Sequence, residues 1–278
     1  MADYYYLISS LPTLWFDEKH DKIDFDSIMQ TIRENLSTDD RKLFNYLLYP
    51  NDNKNLIRSL SLKYKKHEIF HQFYQPAAVP EDVMSDFNQH SDQLPSYMQT
   101  FIEDNHDKLQ DMKVSEWEKL LLKYFYQEVL STGDEFLTKY YAFELNLKNI
   151  IATINSRTYG LQTHHELVGE EAINQQLIKS AAADFNLTNE YPFINELSEA
   201  INTKNPDLIE YQVQKILWHF IDELAGFSFF NTHRLLGYVV QLLMIRRIFN
   251  LKKEEGKERL NELTNKMMEN FELPQLQK

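Results

Sequence analysis

The chain has no cysteine. Disulfides, thiolate nucleophiles and Cys-ligated zinc or iron–sulfur sites are therefore excluded. The absence agrees with a reducing cytoplasm. Glycine is scarce, at six in 278 residues. Five of them (Gly133, Gly160, Gly169, Gly226 and Gly256) sit where a helical pattern begins or ends, which is the use helices make of glycine. Only Gly237 lies inside an apolar run. No two glycines are closer than Gly160 and Gly169, so no phosphate-cradling loop or dinucleotide fingerprint can be built. Strand signals are nearly absent, because no alternating run is bounded by Asn-Gly or Asp-Gly. The longest apolar run, Leu235 to Ile245, is interrupted by Gln241 and falls short of the roughly 20 residues that span a bilayer. The opening, MADYYYLISSL, has no basic region, and its apolar run is too short for a signal peptide. The sequence reads as that of a soluble protein.

Positive charge is also in deficit. The formal net charge is −13, which repels phosphate backbones and argues against a nucleic-acid partner. The acid is uneven: residues 80–118 hold ten Asp and Glu against only Lys108 and Lys113. Such a run is ordinarily a solvated face. Its functional alternative is a docking face for a basic partner.

What the sequence does contain is helical periodicity, and the expected fold class is all-α. Asp24 is a cap for a helix carrying Phe25, Ile28, Met29, Ile32 and Leu36 on one face. Ser37 or Thr38 restarts a helix that ends at Pro50, and another begins near Asp52. Pro80 and Pro95 suit first helical positions. Ser115-Glu116-Trp117-Glu118 has the form of a capping box. Asp134 opens a long helix that stops at Gly160, and Asn205-Pro206-Asp207 caps one that ends at Gly226. A very apolar helix is expected over about 231–251, and an amphipathic one over about 256–271. Sixteen Tyr and eighteen Phe, at helical spacing, point to inter-helix packing.

Two long helices resemble each other faintly. Residues 136–151 and 237–252 both open on aromatics and carry Asn plus an aliphatic residue near the end, in Asn149-Ile150 and Asn250-Leu251. A third unit could start at Tyr4-Tyr5-Tyr6-Leu7-Ile8. Units of roughly 90 residues exceed the period of ordinary solenoids. The expectation is three helical subdomains, over residues 1–112, 113–187 and 188–278.

One motif carries metal chemistry. Lys66-His67-Glu68-Ile69-Phe70-His71 contains H-E-x-x-H. On a helix, His67 and His71 would share a face, and Glu68 could activate zinc-bound water. A third ligand is hard to find, because the extended motif's Gly and His positions hold Tyr74 and Ala77. Glu81 lies beyond Pro76 and Pro80. His164-His165-Glu166 is the other histidine cluster, but adjacent helical side chains diverge. No Gly-x-Ser-x-Gly elbow exists. The expectation is no catalytic residue, no metal and no cofactor, with a zinc-dependent hydrolase as the alternative.

The segment Tyr140-Tyr141-Ala142-Phe143-Glu144-Leu145-Asn146-Leu147-Lys148-Asn149-Ile150-Ile151, continuing to Arg157 and Gly160, resembles the helix motif of the V-type ATPase family of C subunits, named d in eukaryotes. The last third resembles it too, from Phe227-Ser228-Phe229 through Gly237-Tyr238 to Asn250-Leu251-Lys252 and Gly256. The opening Tyr4-Tyr5-Tyr6-Leu7-Ile8-Ser9-Ser10-Leu11-Pro12 is similar to uncharacterised bacterial proteins that appear alongside V-type ATPase subunits. Asn146 stands where the family usually has Asp, and Arg247 near the place of an acid. The resemblance implies an all-α funnel of three subdomains about a pseudo-threefold axis, without enzymatic activity. It implies central-stalk subunits and the membrane proteolipid ring as partners, at the cytoplasmic face of the membrane. The motif positions it marks are Tyr140, Glu144, Asn149, Arg157 and Asn250, with structural roles.

Overall fold

The computed structural model describes residues 4–16, 23–66, 72–169, 172–226 and 230–248. Among the described residues there is no strand; the chain is all-α. The helices are α1 (Tyr5–Ser10), α2 (Phe25–Asn35), α3 (Thr38–Tyr46), α4 (Tyr49–Lys63), α5 (Glu81–Ser85), α6 (Ser96–Asn105) and α7 (Val114–Leu130). They continue with α8 (Glu135–Tyr159), α9 (Thr163–Glu166), α10 (Ala172–Lys179), α11 (Ile194–Asn202), α12 (Pro206–Gly226) and α13 (232–248). The amphipathic helix expected over 256–271 lies outside the described residues.

Local chemistry sets several boundaries. A helix leaves its first N–H groups unpaired, and a short polar side chain can accept from them. Asp24 accepts from the Ser27 amide at 3.0 Å, Ser37 from Asp40 at 3.1 Å, Asp134 from Leu137 at 2.8 Å and Asn205 from Asp207 at 3.0 Å. Gly160 ends α8 with φ of +68°, in the left-handed region that glycine enters without penalty.

Four boundaries differ from the expected ones. Pro50 does not end a helix. It sits in the first turn of α4, where its missing N–H costs nothing. Pro80 and Pro95 stand one residue before their helices, as N-caps. Ser115 does not cap α7: the helix starts at Val114, and Glu116 accepts from the Lys113 amide at 2.7 Å. The earlier start buries Val114 on the same face as Trp117 and Leu121, and that burial outweighs the Ser115 cap.

The helices enclose one continuous core. Trp117 is fully buried, and its indole N–H donates to Leu109 O at 3.0 Å. Phe125 meets Tyr141 edge-on at 5.0 Å and Tyr97 at 5.5 Å, so α6, α7 and α8 interlock through rings. Phe143 of α8 stacks on Phe220 of α12 at 3.9 Å. Burying the polar hydroxyls needs partners, and Tyr141 finds one in Tyr46 O at 2.6 Å.

The isolated glycine inside the apolar run has a packing reason. A Cβ built on Gly237 would lie 2.7 Å from Ala225 Cβ and 3.5 Å from Ile221 Cγ2. Helices α12 and α13 thus touch nearly backbone to backbone. Alanine improves helix propensity by about 1 kcal/mol in an open helix. Here the overlap reverses the sign. Gly237→Ala should lower stability by about 1–3 kcal/mol in urea denaturation, and a gain would show that the two helices separate easily.

Candidate functional site

A cleft of about 330 Å³ opens between α4, the 74–76 loop, α8, α12 and α13. Helix α8 contributes Tyr140, Tyr141 and Glu144, and α12 contributes Gln214 and Leu217. The most apolar helix, α13, gives Val240, Leu243 and Met244, then ends the wall with Arg246 and Arg247. Lys54 of α4 stands across from them.

Helix α4 builds one wall by holding a loop. Asn51 donates to Pro76 O at 2.9 Å. Asn55 donates to Tyr74 O at 3.0 Å and accepts from the Tyr74 amide at 2.8 Å. Asp52, fully buried, accepts from the Ala78 amide at 2.9 Å and the Val79 amide at 3.3 Å. Burial pushes the Asp52 carboxyl up to about 7, against the pull of those two amides and of Arg33.

The charges are mostly paired. Glu144 accepts from the Tyr126 hydroxyl at 2.7 Å and meets Lys148 at 3.0 Å, while Lys148 also donates to the Tyr126 oxygen at 2.9 Å. Arg247 meets Glu210 at 2.6 Å and Arg246 meets Asp26 at 2.8 Å. Tyr140 is buried in the wall, and burial followed by the Glu144 charge raises its hydroxyl pKa well above the usual value. The polar groups of the lining are amides, tyrosine hydroxyls, Lys54, Glu144, Arg246 and Arg247. The cleft has an apolar floor with polar groups at the rim, the composition of a ligand pocket.

The five motif positions separate. Tyr140 and Glu144 reach the cleft. Asn149 faces away from it, fully buried. Its amide donates to Val168 O and to Asn174 Oδ1, each at 2.9 Å, and its oxygen accepts from the Val168 amide at 3.0 Å. Arg157 donates to Ala182 O at 2.7 Å and lies over the Phe185 ring at 4.1 Å. Both clamp the segment that follows α8. Asn250 lies outside the described residues, as do His67, Glu68 and His71. His164 and His165 stand on α9 with rings 3.9 Å apart, both exposed. Among the described residues, no three His, Asp or Glu side chains converge as a metal site. Among the same residues, no helix is long and apolar enough to cross a membrane.

Sequence reasoning missed Lys54 and Gln214. Neither stands in a motif, and only the fold brings α4 against α12 and α13. The paired Arg246-Arg247 at the end of an apolar helix was the one visible signal.

Residues 1–271 match the family described as Protein of unknown function (DUF2764). The chain belongs to that family. No curated protein and no solved structure matches it. The family match runs from before α1 to beyond α13, so the cleft and both clamps fall inside it.

Two measurements check the loops that frame the site. Asn149→Ala should cost about 1–3 kcal/mol and speed hydrogen exchange at the Val168 amide, while exchange in α2 stays as it was. The Asp52 pKa is raised in the folded state, so its contribution to stability is full below the ordinary Asp value and is lost as pH rises through about 7. Urea denaturation should therefore show stability falling between about pH 4 and pH 7, with Asp52→Asn flattening the slope. An unchanged slope in the variant would remove Asp52 as its source.

Proposed function

We propose that the chain is a non-catalytic adaptor in the central rotor of a V-type ATPase, joining central-stalk subunits to the proteolipid ring. The observation that carries this reading is the build around α8, the helix whose sequence resembles that ATPase family. Its polar motif residues each hold a different neighbour: Glu144 holds α7 through Tyr126, Asn149 holds Val168, and Arg157 holds the 182–185 turn. A part that passes torque must not give locally, and dense ring packing resists deformation. The last described helix is tied to the start of the described chain as well, since Thr232 of α13 and Tyr4 both donate to Asp40 of α3. In this reading membrane contact is made only through the ring, on the cytoplasmic side.

A second reading draws on the acidic stretch. Of its ten carboxylates, all but Asp86 belong to exposed residues. The chain would then be a helical scaffold offering that face to a basic partner, and salt would weaken the complex.

The test is affinity isolation of the tagged chain from gently solubilised native membranes, read by mass spectrometry. Stalk and proteolipid subunits at near-stoichiometric levels are the expected result. A clean preparation lacking both overturns the rotor reading. A basic partner that elutes with salt, in their place, selects the scaffold.

A further inference from the structure

The cleft beside α8 holds two donors without a hydrogen-bond acceptor among the described residues. The Tyr140 side chain is 8% exposed, lines the cleft, and its hydroxyl has no hydrogen-bond partner among the described residues. Lys54 stands at the exposed rim, 5.2 Å from the centre of the Tyr74 ring, with no carboxylate partner among them. The hydroxyl is not among the polar atoms sealed from solvent, and it opens on a space large enough for a ligand.

The surrounding charge gives the sign of that ligand. Lys54, Lys148, Arg246 and Arg247 stand at or beside the cleft against Glu144, Glu210 and Asp26. One positive charge is left over, in a chain whose net charge is −13. Crowding of the Lys54 ammonium, then repulsion from Arg247 and Lys148, lowers its pKa, with Glu210 acting the other way. An anion placed among these groups relieves that repulsion. Glu144 is the carboxylate on the cleft wall, and Tyr126 and Lys148 already occupy it.

The rest of the wall gives the body. Leu217, Val240, Leu243 and Met244 form an aliphatic surface next to the charged rim. A dianion such as phosphate would leave excess negative charge and no use for that surface. A monoanion on an aliphatic stem uses both.

We propose that this cleft binds a carboxylate carried on an aliphatic body, with Lys54 and the Tyr140 hydroxyl as its donors and α13 as its apolar seat. The carboxylate could be supplied by a free aliphatic acid or by an acidic side chain flanked by leucines. The proposal stands whether or not the chain is a rotor adaptor, since it rests on the cleft alone.

The test is an NMR titration of the full chain with three probes. Hexanoate stands for the free acid. A capped Leu-Glu-Leu peptide stands for the polypeptide source. Hexanol has the body without the charge. Saturable shifts confined to residues around the cleft are expected with hexanoate or the peptide, and the tighter of the two names the source. Hexanol should bind at least about tenfold more weakly, the worth of one charged hydrogen bond. Lys54→Met should weaken the acid by about tenfold and Tyr140→Phe by about fivefold. Circular dichroism and the melting temperature of Lys54→Met should match the parent, since Lys54 is at the rim. Lack of saturable binding by either acid overturns the proposal. So does equal binding of hexanol, or an affinity that Lys54→Met leaves unchanged.

Discussion

Helix α8 is the member on which the other helices depend. Its 25 residues make a rod of about 37 Å, and α7, α10, α11 and α12 all pack on it. A helix surrounded in this way must bury polar side chains as well as apolar ones, and each buried polar group needs a partner. Tyr141 reaches back to Tyr46 O, Asn146 donates to the Tyr191 hydroxyl at 3.0 Å, and Asn149 takes both the carbonyl and the amide of Val168. These bonds fix where the neighbours lie, which apolar contact alone does not. They explain why a run of alternating apolar and polar residues gives one packing and not several.

A second constraint closes the molecule. The Asp40 carboxylate receives the Tyr4 hydroxyl at 2.6 Å, the Ser37 hydroxyl at 2.7 Å and the Thr232 hydroxyl at 2.9 Å. Burial raises the Asp40 pKa, and the three hydroxyls outweigh burial, so the net direction is down. The carboxylate thus stays ionised in a buried place because its neighbours supply what water would. The Tyr4 amide adds a bond to Phe230 O at 2.8 Å. The beginning of the chain and its last described helix are held at one point, on a helix far from both in sequence.

The parts of this design that were legible in the sequence are the local ones. Asp24, Ser37, Asp134 and Asn205 declare helix starts because a cap acts within three residues. Gly160 declares a stop for the same reason. Ser115 misled because it satisfies the cap pattern, yet burial of Val114 decides the start, and burial is a tertiary matter. Gly237 stood out as an oddity, but its reason, Ala225 on another helix, could not be read from its neighbours in sequence. The cleft was least legible of all. Lys54, Tyr140 and Arg247 come from three distant helices, and no spacing rule joins them. The H-E-x-x-H at 67–71 was the loudest local signal and falls outside the described residues.

The unpaired groups separate into two kinds. Asn45 Oδ1, Arg58 Nε, Ser59 Oγ, Ser61 Oγ and Asn146 Oδ1 are sealed from solvent and have no hydrogen-bond partner among the described residues. They are a cost of packing long helices tightly, about 1–3 kcal/mol for each neutral group. The Tyr140 hydroxyl and the Lys54 ammonium differ because a cleft connects them to solvent. A fold that pairs Glu144, Arg246 and Arg247 beside them could have paired these two by the same means. Leaving them open costs little while water fills the cleft, and it gives an entering carboxylate two donors already in place. Preorganisation of that kind belongs to a binding site.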